Sequence, residues 1–485
     1  MTSLTDKGPT AERVVVVGPV ITDRYYLGKS DRVDQTAAVP IVDVAPDGSF
    51  ASLGGAANAA RCLASLAMPV AFISAVGDDP AGRAFMDTEL PMITRYVKVA
   101  PGYQTPVKNR VYSTGNLVAR FDIDESPKVN VEDYIIDMFQ RCVDDSKPLA
   151  ILISDYAKGI CTERTLTHIM AYAKANDVKV VVDPTPLHMQ FYRGAHIVTP
   201  NAAECMVATG LETVGRSAAV ICTELEVASV VVTCGADGLF ISTGPDDPPE
   251  TMPAVPALPV DTCGAGDVIA ATLAYGTAVD IPPTAMYHMA VAAGAICVEF
   301  GGAGPVSLHQ IHKRIATVFG AERKLVNADF TTLLRMSVAI DGTKFGVTNG
   351  IFDVLHPGHV SMLRQAREAC DFLVVLLNTD SSAEGIGRKP VMPLTSRASQ
   401  LAALPCVDAV MAFDGATPEP EIARLLPDVL IKGPELKGKE KEIPGYDVVV
   451  DNGGTIVIAT LEHDTHGTTI KEKVIESEAR QEGEA

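Results

Sequence analysis

None of the ten cysteines in this 485-residue chain stands in a CxxC pair. They are scattered singly: Cys62, Cys142, Cys161, Cys205, Cys222, Cys234, Cys263, Cys297, Cys370 and Cys406. That spacing argues against a disulfide framework and predicts reduced, mostly buried thiols. Positive charge is also short. Forty Lys and Arg face sixty Asp and Glu, giving a net charge of −20 and a pI near 4.9. That balance argues against a nucleic-acid-binding surface, while a local basic pocket for phosphates stays open. No apolar run is long enough to span a bilayer, and the first residues, Met-Thr-Ser-Leu-Thr-Asp-Lys-Gly, lack a signal peptide's apolar stretch. The expectation is a cytoplasmic protein with no membrane insertion. Walker A and GxGxxG sequences are missing, which removes the P-loop and dinucleotide-binding readings, and there is no HExxH zinc motif. No internal repeat is visible.

What is present is material for large cores: 47% hydrophobic and 21% charged residues over a length suited to two or three domains. Short aliphatic runs at 13–18, 70–76, 149–154, 178–183, 197–200 and 227–233 read as buried strands. Helical patterns fall between several of them, at 58–66, 165–175 and 202–209. This alternation predicts a mostly parallel sheet covered on both faces, with ligands at the carboxyl ends of its strands. Residues 24–50 and 97–124 alternate polar and apolar, as an antiparallel flap would. The expected division is a first α/β domain over 1–315, a connector over 316–340 and a second α/β domain over 341–485. The charged tail 476–485 is expected to fray.

The sharpest segment is Thr348-Asn349-Gly350-Ile351-Phe352-Asp353-Val354-Leu355-His356-Pro357-Gly358-His359. A strand runs into a turn, and from Val360 the apolar residues Met362, Leu363, Ala366 and Ala369 recur at helical spacing. His356 and His359 therefore sit at a helix N-terminus, where exposed N–H groups and the positive dipole end attract phosphate. Two imidazole donors beside that end suit a pentavalent α-phosphate as charge builds on it. Metal ligation and a purely structural role are the competing readings of His-x-x-His alone. Arg397, after a turn, and Lys432, after a strand, are candidate cations for triphosphate oxygens, with solvated surface charge as the alternative.

Three glycine clusters mark the first domain. Asp261-Thr262-Cys263-Gly264-Ala265-Gly266-Asp267 opens a helix of small residues whose first amides form an anion hole; Asp267 lies beside it, placed to accept a hydroxyl proton. The bland reading is a tight turn with Asp267 as cap. Gly54-Gly55-Ala56-Ala57-Asn58 opens another helix, and Thr233-Cys234-Gly235-Ala236-Asp237-Gly238 follows a strand. Lys108 and Arg110 share one face of a flap strand with Arg120 on its neighbour, facing either a sugar phosphate or water.

Taken together, GGAAN, DTxGAGD and the post-strand TxGxxG resemble the ribokinase-type carbohydrate kinases over most of 11–310. Asn201-Ala202-Ala203-Glu204 resembles that family's NxxE element, and Asp23 its sugar-hydroxyl ligand. The resemblance implies that Asp267 is the base and that Gly264, Ala265 and Gly266 form the anion hole. It implies that Asp23, Gly54, Gly55 and Asn58 face the sugar, and that Thr233, Gly235 and Gly238 face the nucleotide. Asn201 would help place phosphate, and Glu204 would hold Mg²⁺. GxFDxxHxGH resembles the cytidylyltransferase-type nucleotidyltransferases, which implies a Rossmann-like second domain. Asn349, Gly350, Phe352, Thr468 and Thr469 would then join the phosphate and nucleotide site.

The two in this order resemble a family of bifunctional enzymes that act in ADP-heptose synthesis. Supporting stretches are Asp23-Arg24-Tyr25, Ser154-Asp155-Tyr156-Ala157-Lys158-Gly159, Tyr192-Arg193-Gly194-Ala195, Asn378-Thr379-Asp380 and Leu430-Ile431-Lys432-Gly433. The chain departs from the family at Thr185, where Asp-Pro-Lys is usual, at Asp34-Gln35-Thr36-Ala37-Ala38 of the flap, and at Gly467-Thr468-Thr469-Ile470. The resemblance implies ATP as co-substrate, sugar phosphates as ligands, two non-consecutive steps, and a homodimer through the kinase flap. A kinase-cytidylyltransferase acting on another polyol phosphate and a non-catalytic sugar-nucleotide sensor remain alternatives here.

Overall fold

The computed structural model describes residues 12–37, 39–124, 129–255, 257–300, 304–311, 313–315, 325–326, 335 and 344–460. The chain divides into two compact units, Met1–Ile311 and His312–Ala485.

In the first unit, valine-rich segments such as Arg13–Val17 form strands because β-branched side chains pack well on a pleated surface. Val14, Val15, Val16 and Val17 are all fully buried, as a strand covered on both faces requires. Among the described residues the main sheet has nine strands. From one edge they are Glu250–Met252, Leu239–Ser242, Ser229–Thr233, Ile197–Val198, Val180–Asp183, Pro148–Ser154, Arg13–Val17, Val70–Gly77 and Ile93–Ala100. All pair in parallel except the two strands at the Glu250–Met252 edge. The chain leaves Arg13–Val17 toward Val70–Gly77 on one side and later returns on the other through Pro148–Ser154. The carboxyl ends of Arg13–Val17 and Pro148–Ser154 therefore border a topological switch point, where a crevice opens for ligands.

A separate sheet forms the flap, in the order Pro40–Gly55, Val20–Val33, Val107–Ser113, Asn116–Ile123. Two expectations are corrected here. The central pair, Val20–Val33 with Val107–Ser113, runs parallel, so the flap is mixed rather than antiparallel. Residues 97–100 belong to the main sheet, within the edge strand Ile93–Ala100 paired with Val70–Gly77. Polar-apolar alternation reports that one face is solvated; it carries no information on strand direction, and a half-covered edge strand shows it too.

The second unit has a fully parallel sheet in the order Leu325–Val326, Ala409–Phe413, Phe372–Asn378, Phe345–Gly350, Val429–Lys432, Thr455–Ile458. Its first long strand, Phe345–Gly350, lies in the middle. Successive strands build outward on one side, then restart on the other at Val429–Lys432, which puts the switch point between these two strands. Leu363 and Ala366 of helix Pro357–Ala369 bury against Leu373, Val375, Leu377 and Ile431. Leu325–Val326 lies inside the expected connector yet extends this sheet beside Ala409–Phe413. Most other residues of 316–340, together with Thr468, Thr469 and the tail 476–485, lie outside the described residues.

All ten cysteines are free, and seven are buried. Among the described residues no single helix is long and apolar enough to cross a membrane.

Candidate active sites

Helix Ala265–Ala278 begins at Gly264, whose φ of 79° is a left-handed conformation suited to glycine. The opening residues are small, and a Cβ on Gly266 would meet open space, so no side chain crowds the start of the helix; Ala265 N donates to Thr262 O at 3.4 Å. Asp267 lies in that first turn and is buried, at 3% exposure. Both of its carboxylate oxygens are held. Asn58 Nδ2 donates to Oδ2 at 2.9 Å, and the Tyr156 hydroxyl donates to Oδ1 at 2.8 Å. Burial pushes the Asp267 carboxyl up to about 6, against the lowering effect of those two donors. A carboxylate so tuned is charged at neutral pH yet basic enough to take a proton.

The flap supplies the opposite wall. Asp23 is buried and ion-paired with Arg110, whose guanidinium also lies 5.6 Å from the centre of the Tyr25 ring. Gly54 is a matter of space: a Cβ there would sit 2.1 Å from Asp23 Oδ2. Gly55, at φ 58°, turns the chain into helix Ala56–Ser65. Lys108 places its ammonium 5.0 Å from the centre of the Tyr156 ring and lowers the Asp267 carboxyl. Arg120 instead pairs with its own neighbour Asp122 at 2.7 Å, with its side chain 46% exposed. The structure thus gathers Asp23, Gly54, Asn58, Lys108, Arg110 and Asp267, and sets Arg120 across the strand from Arg110 with its guanidinium held by Asp122.

Asn201 and Glu204 form a capping box on helix Ala202–Thr209: Asn201 N donates to Glu204 Oε2 and Glu204 N to Asn201 Oδ1, each at 2.9 Å. An isolated parallel bridge joins Asn201 to Thr233, so the NxxE and TxGxxG elements lie side by side. Gly235 and Gly238 both have positive φ around the turn Gly235–Asp237, and a Cβ on Gly238 would meet Met252 O at 2.1 Å. Burial raises the Glu204 carboxyl.

Several residues of this crevice were given no site role from the sequence. Tyr156 is one. Asp183, at the end of Val180–Asp183, is pushed well above the usual carboxylate range by burial and by the charges of Asp267, Glu204 and Asp155. Asp155 accepts from His188 Nδ1 and the Tyr192 hydroxyl, each at 2.7 Å, and from Ala157 N at 2.8 Å. The available signal was position: Asp155, Tyr156 and Asp183 all stand at the carboxyl ends of central strands.

In the second unit His356 caps helix Pro357–Ala369 from an extended conformation, with Pro357 at the first helical position. One turn later His359 stacks on it, ring centres 3.8 Å apart and planes 28° from parallel. Burial, and the neighbouring His356, lower His359 to about 4. Phe352, at a left-handed φ of 46° that a bulky residue adopts only under constraint, sets its ring 5.2 Å from that of His359. Across the switch point Lys432 Nζ donates to Asn349 Oδ1. Burial lowers the Lys432 ammonium to about 8. Asn349, Gly350, Phe352, His356, His359 and Lys432 thus occupy one end of the sheet.

Arg397 sits on helix Leu394–Ala402. It is fully buried and its guanidinium faces inward, donating to Ile351 O at 2.6 Å, Met392 O at 3.0 Å and Asp380 Oδ1 at 2.5 Å. Asp353 braces the same two loops in the other direction, accepting from Val391 N at 2.7 Å and Met392 N at 2.9 Å. A cation with these partners holds the signature loop in shape. Sequence could not separate the two, because a buried arginine and a phosphate-binding arginine share one letter.

The pfkB family carbohydrate kinase model matches residues 11–310, and the cytidylyltransferase-like model matches 347–470. The chain is 32% identical to the bifunctional protein HldE of Rhodopseudomonas palustris strain HaA2 over 480 residues, covering 96% of each chain. It is 35% identical to that of Hyphomonas neptunium, covering 93% of this chain and 94% of the other. Among solved structures, phosphofructokinase-2 from Escherichia coli in complex with substrates and products superposes with a TM-score of 0.52. At 18% identity over 64% of this chain and 99% of the other, that likeness shows the fold of the first unit. The chain belongs to the HldE family of bifunctional enzymes, a pfkB-type carbohydrate kinase joined to a cytidylyltransferase-like nucleotidyltransferase in ADP-heptose synthesis.

Proposed function

We propose that the first unit phosphorylates heptose 7-phosphate at C1 from ATP, with Asp267 as general base. The observation that carries this reading is the buried carboxylate at the helix start, tuned to about 6 and fixed through both oxygens. Asp267 takes the proton of the anomeric hydroxyl as that oxygen attacks the γ-phosphorus of ATP, the bond to the β,γ-bridging oxygen breaks and ADP leaves. The amides around Gly264, Ala265 and Gly266 receive the transferring phosphoryl group, whose equatorial oxygens carry the developing charge. Asp23, ion-paired with Arg110, orients a sugar hydroxyl, and Lys108 supplies positive charge for the sugar phosphate. Thr233, Gly235 and Gly238 line the nucleotide side.

ATP is the co-substrate of both halves, and Mg²⁺ is expected with it. Among the described residues no three His, Cys, Asp or Glu side chains converge as a metal cage. Mg²⁺ commonly needs no such cage, because it binds one or two carboxylates together with substrate phosphates and waters. Glu204, a hard oxygen donor beside Asn201 and Thr233, fits that mode and would hold the ion. Bound Mg²⁺ would neutralise phosphate charge.

The second unit transfers the adenylyl group of ATP to heptose 1-phosphate and releases pyrophosphate. His356 and His359 donate to the α-phosphate oxygens, where negative charge grows as the sugar phosphate attacks. Because His359 titrates near 4, it serves as a neutral donor at physiological pH. Lys432 and Asn349 flank the same sheet end. We place the protein in the cytoplasm as a homodimer through the flap, where Leu27, Phe50, Leu117 and Phe121 are exposed.

Mass spectrometry of products tests the whole reading. Purified protein with ATP should convert heptose 7-phosphate to the 1,7-bisphosphate and heptose 1-phosphate to ADP-heptose. A strong preference for CTP in the second reaction, or for a different polyol phosphate in the first, would overturn it.

A further inference from the structure

Tyr156 touches the general base directly and the flap through its ring, a combination shared by no other residue described above. Its hydroxyl lies 2.8 Å from Asp267 Oδ1, and its ring faces the Lys108 ammonium of flap strand Val107–Ser113 at 5.0 Å. Asn58 holds the other carboxylate oxygen and is itself fixed by Arg61 Nη2, which donates to Asn58 Oδ1 at 3.1 Å. We propose that Tyr156 is a positioning residue for the kinase reaction: it orients the Asp267 carboxylate and keeps it ionised when the flap carries Lys108 over its ring. The inference rests on the reading of Asp267 as the base.

A phenol donating to one carboxylate oxygen favours the charged form and fixes the plane of the group, leaving a lone pair for the incoming hydroxyl proton. A cation over the face of the ring is attracted to its π-cloud and draws electron density from it, which makes the hydroxyl a better donor. Burial keeps the Tyr156 phenol itself protonated, with the nearby carboxylates adding to the effect, so it donates across the working range.

Other groups also face Asp267. Asp23 and Lys108 approach from the flap, with opposite effects on its charge. Cys62 on helix Ala56–Ser65, Cys297 on helix Pro283–Glu299 and Asp183 at its strand end all feel the Asp267 charge. The thiols are raised by burial and stay neutral, so they do not offset a missing donor.

The test is the pH dependence of kinase kcat/KM in the full-length enzyme, with ATP and heptose 7-phosphate. In Tyr156→Phe the acid limb should move up by about one pH unit, since a donor to a charged group stabilises it by roughly that much. Kinase rate at pH 6 then falls about fivefold from this shift alone, with a smaller effect at pH 8.5. A merely structural tyrosine would lower the rate equally at all pH values and leave the limb in place. If Tyr156→Phe fails to fold, 3-fluorotyrosine at position 156 keeps the shape and sharpens the donor, and the limb should move down. An unmoved limb in the folded variant overturns the proposal while Asp267 remains the base. Retained turnover in Asp267→Asn overturns the base assignment itself and the proposal with it.

Discussion

The two units apply the same force to different chemistry. Each sets its reactive groups at the carboxyl ends of parallel strands beside a switch point, and in each, burial is the largest influence on the key ionisable group. In the kinase, desolvation raises Asp267 to about 6, which suits the base proposed for it near neutrality. In the transferase, desolvation lowers His359 to about 4 and Lys432 to about 8. The first makes an imidazole a neutral donor at physiological pH; the second leaves an ammonium only just protonated. Burial always disfavours charge, so the residue type alone decides whether it creates a base or a neutral donor.

The difference can be broken at each end. Asp267→Asn should lower kinase turnover by about 10²–10⁴ while adenylyl transfer continues, checked by assaying both reactions on one preparation. Loss of both activities would mean that the units are not chemically separate. His359→Ala should lower transferase kcat by about 10²–10³ with a smaller change in KM, read from pyrophosphate release. An unchanged kcat would remove the pair from the transition state.

Arg397→Met should act differently from His359→Ala, because its partners are the carbonyls of Ile351 and Met392 and the Asp380 carboxylate. It should lower the melting temperature of the second unit by several degrees as well as its activity, by calorimetry. Reduced activity at unchanged stability would favour the phosphate contact expected from sequence. A smaller effect concerns the boundary. A fragment beginning at His312 should be more stable than one beginning at Arg335, which lacks strand Leu325–Val326. Equal stability would show that this two-residue strand contributes little.

Much of this was legible in the residues. The buried strands were readable as short aliphatic runs, and helix Ala202–Thr209 matched its expected bounds because Asn201 and Glu204 form a capping box. The placement of Asp267 and His359 near helix starts followed from glycine, proline and apolar spacing. Flap direction was not legible, since Val20–Val33 and Val107–Ser113 pair in parallel across a long sequence separation. Nor was the distant partner of a charged side chain: Arg110 on Asp23 and Arg397 on Asp380 are tertiary facts. Tyr156 was within reach, standing two residues past the end of strand Pro148–Ser154, but nothing in its own letter says that it meets residue 267.

The most direct test of opposite tuning by burial is to record both activities against pH on one enzyme preparation. Kinase kcat/KM should rise through about pH 6 as Asp267 ionises. Transferase kcat/KM should be level across that range, since His359 is already neutral above about 4, and should fall above about 8 as Lys432 loses its proton. Coincident acid limbs near pH 6 in both reactions, or a kinase rate indifferent to pH between 5 and 7, would contradict it.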